Sequence, residues 1–245
     1  MLKDKNVLIT GASRGIGKAI SIKFAENKAF IGINYNLSES NAMDTLKKVE
    51  EKGGDGVLLK ADVSKYKEVD QMIEYFLKKV GNIDILVNNA GIYKRNSFEK
   101  IRLRDWDRTM RTNLTSSFYL CRKIAPIMKL GSRIIFISSQ LAFRGSSHGA
   151  DYATTKSGLL GLMRSLALEL AEKKILVNAV APGLIDTDII KHYSKEMRLK
   201  RIKEIPLKRI GTPEDIANVC LFLASKLSNY ITGETINVNG GIYIH

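Results

Sequence analysis

Val7-Leu8-Ile9-Thr10, followed by Gly11-Ala12-Ser13-Arg14-Gly15-Ile16-Gly17, is the stretch that decides the fold. A short apolar run ends in a glycine-rich turn and passes into the helical pattern Gly15–Glu26, which reads as strand, turn and helix. Glycines there permit a tight turn and a close backbone approach, and the N–H groups opening the helix suit an anionic ligand. The spacing is G-x-x-x-G-x-G rather than the more familiar G-x-G-x-x-G, but the physics is the same.

Outward from this turn the same grammar repeats. Strands are predicted at Phe30–Tyr35, Val57–Lys60, Ile83–Val87, Arg133–Ser138, Leu176–Ala181 and Thr235–Val238. They are rich in Ile, Val and Leu without polar alternation, as in parallel strands covered on both faces. Helices are predicted between them, at Leu37–Lys52, Lys65–Lys79, Asp105–Met128 and Asp151–Lys173. Thr212-Pro213-Glu214-Asp215 reads as an N-cap, a proline at the first helical position and acids in the first turn. This alternation predicts an α/β fold: one Rossmann-type domain over residues 1–245, a doubly wound parallel sheet of about seven strands flanked by helices. Ligands of such sheets bind beyond the carboxyl ends of the strands, where the strand order reverses.

The 245 residues hold four prolines and no linker-like segment. Cys121 and Cys220 sit in apolar helical patterns and are expected as reduced, buried thiols with no metal role. No run reaches the ~18 apolar residues of a membrane span. The first strand begins at Asn6 or Val7, which leaves no room for a leader peptide, so a reducing cytoplasm is expected. The net charge of +14 is compatible with nucleic acid or an anionic membrane. The basic residues are spread widely, however, and aromatics rarely interleave with them, so neither nucleic acid nor membrane is an expected partner. Positive charge concentrates at Lys191, Lys195, Arg198, Lys200, Arg201, Lys203, Lys208 and Arg209, against Glu196 and Glu204 alone, a local excess of +6.

Tyr152-Ala-Thr-Thr-Lys156 carries the chemistry. Four residues apart on a helix, the phenol and the ammonium share a face. A cation held there favours the phenolate and is expected to bring the tyrosine from its ordinary ~10 toward neutrality, poised to pass a proton to or from an alcohol. Ser139 closes a strand thirteen residues upstream and can orient a carbonyl. Asn113, in mid-helix where asparagine has poor propensity, is expected to hold a water that links Lys156 to solvent. No Ser-His-Asp hydrolase logic is available: the histidines are only His148, His192 and His245, and no G-x-S-x-G elbow is present.

Charge selects the dinucleotide. NAD sites place an acid on the ribose hydroxyl roughly 20 residues after the glycines, whereas NADP sites place a cation there. Asn34, Tyr35, Asn36, Leu37 and Ser38 bring no acid before Glu39, and Arg14 lies inside the glycine turn, so NADPH/NADP+ is expected. Asn88-Asn89-Ala90-Gly91 and Pro182-Gly183 end strands with small or turn-forming residues, and Thr187 can hydrogen-bond the nicotinamide carboxamide.

TGASRGIG from Thr10, Asp62-Val63, NNAG from Asn88, Asn113, Ser139, YxxxK from Tyr152 and PG from Pro182, in this order, resemble the short-chain dehydrogenase/reductase family over essentially the whole chain. Within it, the tail from Tyr230 to Tyr243 is most similar to that of the 3-oxoacyl-[acyl-carrier-protein] reductases, although polyol and ketone reductases end alike. The resemblance implies that Tyr152 is the proton donor, Lys156 the ribose anchor, Ser139 the carbonyl orienter and Asn113 the relay. It implies cofactor contacts at Gly11, Ser13, Arg14, Gly15, Ile16, Gly17, Asn34, Tyr35, Asn36, Asn89, Ala90 and Gly91. It extends them to Asp62 and Val63 at the adenine, and to Pro182, Gly183, Ile185 and Thr187 at the nicotinamide end. It implies a substrate lid over about 187–209, an acyl thioester on coenzyme A or an acidic acyl carrier protein, and a homotetramer. In that assembly the two longest helices and the segment Ile236–Tyr243 form the interfaces, with the stripe Leu159, Leu162, Met163, Leu166 and Leu170 as one contact. Basic residues near the entrance would meet the carrier; Lys173 fits one such position and Leu130 takes the other. The same chemistry on a sugar, a polyol or another small ketone is the alternative.

Overall fold

The structure, a computed structural model, describes residues 1–244; His245 lies outside the described residues. Seven parallel strands form one sheet in the order β3-β2-β1-β4-β5-β6-β7. They are β1 (Asn6–Ile9), β2 (Phe30–Tyr35), β3 (Asp55–Lys60), β4 (Ile85–Asn88), β5 (Arg133–Ile137), β6 (Leu176–Pro182) and β7 (Thr235–Val238). The helices are α1 (Gly15–Glu26), α2 (Glu39–Glu51), α3 (Tyr66–Val80), α4 (Leu103–Met110), α5 (Ser116–Ile124), α6 (Leu141–Arg144), α7 (Ala150–Glu169), α8 (Lys195–Glu204) and α9 (Pro213–Ala224).

Apolar side chains divide between the two faces of the sheet, as two-sided burial of the strands requires. One cluster joins the sheet to α3, α5 and α7 through Phe76, Leu120, Cys121, Leu159 and Met163. The other joins it to α1, α2 and α9 through Ile20, Phe24, Val49, Ile216 and Cys220. Both cysteines are free and buried, and burial pushes the Cys121 thiol up to about 12 and the Cys220 thiol higher as well.

Most predicted elements appear within a residue or two of their predicted bounds. The helix predicted at Asp151–Lys173 ends four residues early, at Glu169, and the one predicted at Asp105–Met128 differs most. It is interrupted by a π-helical turn at Arg111–Thr115 and ends in a 3₁₀ turn at Ala125–Ile127. Its apolar spacing survives the break, so periodicity alone cannot reveal it. The capping expectation at Thr212 takes full form: Thr212 Oγ1 accepts from the Asp215 amide, and the Asp215 carboxylate accepts from the Thr212 amide at 2.7 Å.

The strand order reverses between β1 and β4. Chains leaving their carboxyl ends diverge to opposite faces, and the crevice so formed is the ligand position of an open α/β sheet. A cleft of about 770 Å³ lies there.

Candidate active site

The inner end of the cleft is fixed by side chains that bind backbone. Thr10 Oγ1 accepts from the amides of Asn89 and Ala90, both at 3.0 Å, which ties the end of β1 to the end of β4. Asn89 Nδ2 donates to the carbonyls of Thr10 (2.8 Å) and Gly11 (3.1 Å). Asn34 Oδ1 accepts from the Gly11 amide, while its Nδ2 donates to the carbonyls of Leu59 and Ala61, all at 3.1 Å. These asparagines are fully engaged as donors and hold the turn from beneath. Asn34, Asn89 and Gly11 also line the cleft, so the two amides position the cradle from within its wall. Gly17 does not line the cleft. An added Cβ there would fall 2.5 Å from the Gly11 carbonyl oxygen, so the residue lets the turn close on the helix. Gly11 has φ +60° and is packed against Ala90, a conformation and a spacing that favour glycine.

A dinucleotide fits this end. The first turn of α1 carries no acid, and Arg14 at its N-cap provides no side-chain acceptor, so the leading amides are left to a ligand. Ser13, Arg14, Gly15, Ile16, Tyr35, Asn36, Ala90, Gly91, Pro182, Gly183, Ile185 and Thr187 line the same cleft, as do Asp62 and Val63. Asp62 Oδ1 accepts from the Ser64 amide (3.0 Å) and hydroxyl (2.7 Å), which fixes the carboxylate at the wall. The Tyr35 phenol is pushed up, first by burial and then by the Glu39 carboxylate beside it, so the acid nearest to β2 faces that phenol.

Farther out, β5 and α7 bring Ser139, Tyr152 and Lys156 together. Ser138 Oγ donates to the Lys156 carbonyl at 2.9 Å and Lys156 Nζ donates to the Ile137 carbonyl at 2.7 Å, so strand end and helix are joined twice. Ser139 Oγ accepts from the Leu141 amide at 3.1 Å, which leaves its proton free to donate. The Tyr152 ring packs on Tyr93 with 4.7 Å between centroids. The expectation that Lys156 draws the phenol toward neutrality meets an opposing effect here. Burial pushes Tyr152 up to about 12, with the Ser139 hydroxyl opposing it. Burial likewise lowers Lys156 to about 8. Nζ sits 5.5 Å from the ring centroid with a proton directed at Ile137, so desolvation outweighs attraction.

Asn113 has a structural role that the sequence does not show. It is fully buried in the π turn, and its side chain clamps Ile92, accepting from the amide at 2.8 Å and donating to the carbonyl at 2.9 Å. Its Nδ2 reaches Thr155 Oγ1 at 3.3 Å. That amide braces the segment after β4 with both its oxygen and its nitrogen. The brace is nonetheless close to the chemistry: a Cβ on Gly91 would lie 3.5 Å from both Asn113 Oδ1 and Lys156 Nζ.

The segment after β6 forms the outer wall, and its charge is smaller than the sequence window suggests. Asp188 pairs with Arg14 (3.2 Å) and with Lys191; Arg198 pairs with Asp186 (3.0 Å); Arg201 pairs with Glu204 (2.8 Å). Arg209 forms two bonds to Asp215, at 2.6 and 2.8 Å, which hold that carboxyl well below the usual range. Asp186, Asp188 and Asp215 flank the basic run and cancel much of it. The predicted stripe on α7 is corrected as well: Leu159, Met163 and Leu170 are buried within the chain. Gly158 accommodates Leu114 of the same chain. Thr10 and Tyr93 are functional residues that sequence reasoning missed. A hydroxyl directly before Gly11 is a weak signal for the first, and none marks the second.

Among the described residues, no cluster of His, Cys, Asp or Glu could hold a metal, and no helix is long and apolar enough to cross a membrane. Residues 11–243 match the family profile described as enoyl-(acyl carrier protein) reductase. The 3-oxoacyl-[acyl-carrier-protein] reductase of Staphylococcus epidermidis is 40% identical over 98% of this chain and 100% of its own length. That of Aquifex aeolicus is 41% identical over 99% and 98%. Among solved structures, a short-chain dehydrogenase of Burkholderia cenocepacia in complex with NADP superposes with a TM-score of 0.94 at 30% identity, covering 98% of each chain. A short-chain dehydrogenase/reductase of Serratia marcescens does so at 0.94 and 34%, also over 98% of each chain.

Proposed function

The chain belongs to the short-chain dehydrogenase/reductase family, and on that premise we propose that it reduces the 3-oxo group of an acyl thioester to the 3-hydroxyl with NADPH. The observation that carries this reading is the junction of two parts in one cleft: a glycine cradle and, farther out, Tyr152 beside the buried Ser139 and Lys156.

When bound, NADPH supplies the hydride. The protein's residues do the rest. Ser139, with its oxygen occupied by the Leu141 amide, directs its proton at the substrate carbonyl. Tyr152, protonated throughout the neutral range, holds the second proton and transfers it as the oxygen gains charge. Lys156, near 8, is charged at neutral pH, and its field favours the phenolate only once that forms, so its stabilisation grows along the reaction. Arg14 is the candidate partner of a ribose phosphate, and the absence of an acid over Asn34–Ser38 supports NADPH. The profile description names an enoyl reductase. Two hydroxyl donors at one point suit an oxygen that becomes an alkoxide, and the relatives that match end to end are named for carbonyl reduction.

The reading includes a homotetramer. Phe118 on α5 and Leu168 on α7 are exposed, and Gly161 has open space above it, as a helix face awaiting a second copy would. Light scattering that reports a single chain would remove this part. The function itself is tested by the fall in NADPH absorbance with 3-oxoacyl thioesters on coenzyme A and on carrier protein. Reduction of a sugar or simple ketone, with no thioester accepted, would overturn it.

A further inference from the structure

Three arginines from three elements line the mouth of the cleft without an anion. They are Arg95 after β4, Arg108 on α4 and Arg144 at the end of α6. All are exposed, and among the described residues no carboxylate lies within ion-pair distance of any of them. Asp105, the acid nearest to Arg108 on its own helix face, is taken by Arg102 (2.7 Å) and Lys94 (3.6 Å). Asp151 is buried and accepts from Thr109 at 2.9 Å.

Their elements meet at one place, the loop that leads into Tyr152. Tyr93 Oη donates to the His148 carbonyl at 3.2 Å, and the Asn96 amide donates to the same oxygen at 3.2 Å, which brackets Arg95. The Thr109–Asp151 bond draws α4, and with it Arg108, to the first turn of α7. Arg144 precedes the same loop by one residue. The wall opposite differs in kind, since Arg201 is held by Glu204 and Arg14 by Asp188. Guanidinium groups suit phosphate and carboxylate oxygens, and a mouth lined by one sign of charge focuses such ligands.

We propose that Arg95, Arg108 and Arg144 form a subsite for an anionic group, phosphate or carboxylate, on the part of the substrate remote from its carbonyl. The inference rests on the thioester reading above and narrows it. The anion is either the phosphate of a pantetheine arm or a carboxylate at the far end of the acyl chain.

Two matched pairs of 3-oxoacyl thioesters separate the sources. One pair carries the same acyl group on 4′-phosphopantetheine and on pantetheine. The other, on pantetheine, carries an acyl chain ending in a carboxylate and its methyl amide. In the triple variant R95Q/R108Q/R144Q, KM for the charged member of one pair should rise about tenfold or more, with kcat nearly unchanged and the neutral members unaffected. A response to the phosphate assigns the arm, and a response to the carboxylate assigns the acyl end. Equal changes for charged and neutral members, or none, would overturn the subsite. Wild-type turnover of the neutral thioesters reports separately on the thioester reading. If that fails, calorimetric titration of the charged thioesters still decides: affinity about tenfold weaker in the variant supports the subsite, and equal affinity refutes it.

Discussion

The inner end of the cleft and its outer mouth are built from different kinds of bond. At the glycine turn, Thr10, Asn34 and Asn89 bind backbone groups that are already shielded from water. At the mouth, exposed side chains bind each other, as in Arg14–Asp188, where 63% and 36% of the side chains are exposed. A buried backbone acceptor left without its partner costs about 1–3 kcal/mol, whereas an exposed ion pair is worth about 0–1 kcal/mol and is screened by salt. The inner end is therefore a fixed seat for an invariant ligand. The mouth can be rebuilt by exchanging side chains without disturbing the sheet, which is where a substrate class can be chosen.

Breaking the chemistry while sparing both regions should give the largest effect. Tyr152→Phe keeps the ring contact with Tyr93 and removes only the proton. Turnover should fall at least a hundredfold while calorimetry shows NADPH bound nearly as before. Retention of more than about a hundredth of the activity would end the general-acid role.

Gly17→Ala attacks the inner seat. Its Cβ would lie 2.5 Å from the Gly11 oxygen and 2.6 Å from Asn89 Nδ2, with no flexible neighbour to yield. Denaturant unfolding should show a loss of about 2 kcal/mol, and cofactor affinity should fall with it. A variant with wild-type stability and affinity would show that the seat is not rigid.

Lys156→Met sharpens the contrast through pH. Below about 8 the folded protein holds a buried ammonium that the unfolded chain hydrates. Between about 8 and the ordinary 10.5 only the unfolded chain binds that proton, so stability rises with pH through this window. The buried charge therefore costs about 3 kcal/mol at neutral pH. After the lost bond to Ile137, the inactive variant should be more stable by about 1–2 kcal/mol at pH 7, and the gain should disappear within the window and reverse as pH approaches 10.5. A gain independent of pH would refute the assignment.

The smallest effect belongs to the mouth. Arg14→Ala should lower the preference for NADPH over NADH about tenfold, because one charged hydrogen bond is removed. Stability should change by less than about 1 kcal/mol, since the Arg14–Asp188 pair is exposed. An unchanged cofactor ratio would move phosphate recognition elsewhere.

The sequence made the sheet legible because seven apolar runs and their intervening helices leave few topologies. It made Ser139, Tyr152 and Lys156 legible because spacing places them on known positions of strand and helix. What it could not carry is direction. Residue type places Asn34 and Asn89 at the cleft but does not say which backbone groups their amides hold, since these belong to strand ends that are distant along the chain. The π turn at Arg111–Thr115 leaves the apolar period intact, so the burial of Asn113 and its clamp on Ile92 are not legible in the spacing. The positive run over Lys191–Arg209 was misjudged because its counter-charges, Asp186, Asp188 and Asp215, lie just beyond either end.

Burial of the two thiols has a consequence for how the chain meets oxidants and alkylating reagents. Cys121 is 2% exposed in the α3–α5–α7 layer and Cys220 is 0% exposed in the α1–α2–α9 layer, and neither forms thiolate at neutral pH. A reagent can reach either sulfur only after the surrounding layer opens. A protein that carries reducing equivalents thus presents no surface thiol among the described residues, and its exposed sulfur is confined to methionine thioethers such as Met1 and Met43. The same insulation makes each cysteine a clock: its rate of alkylation in dilute denaturant measures how often its own side of the sheet comes apart.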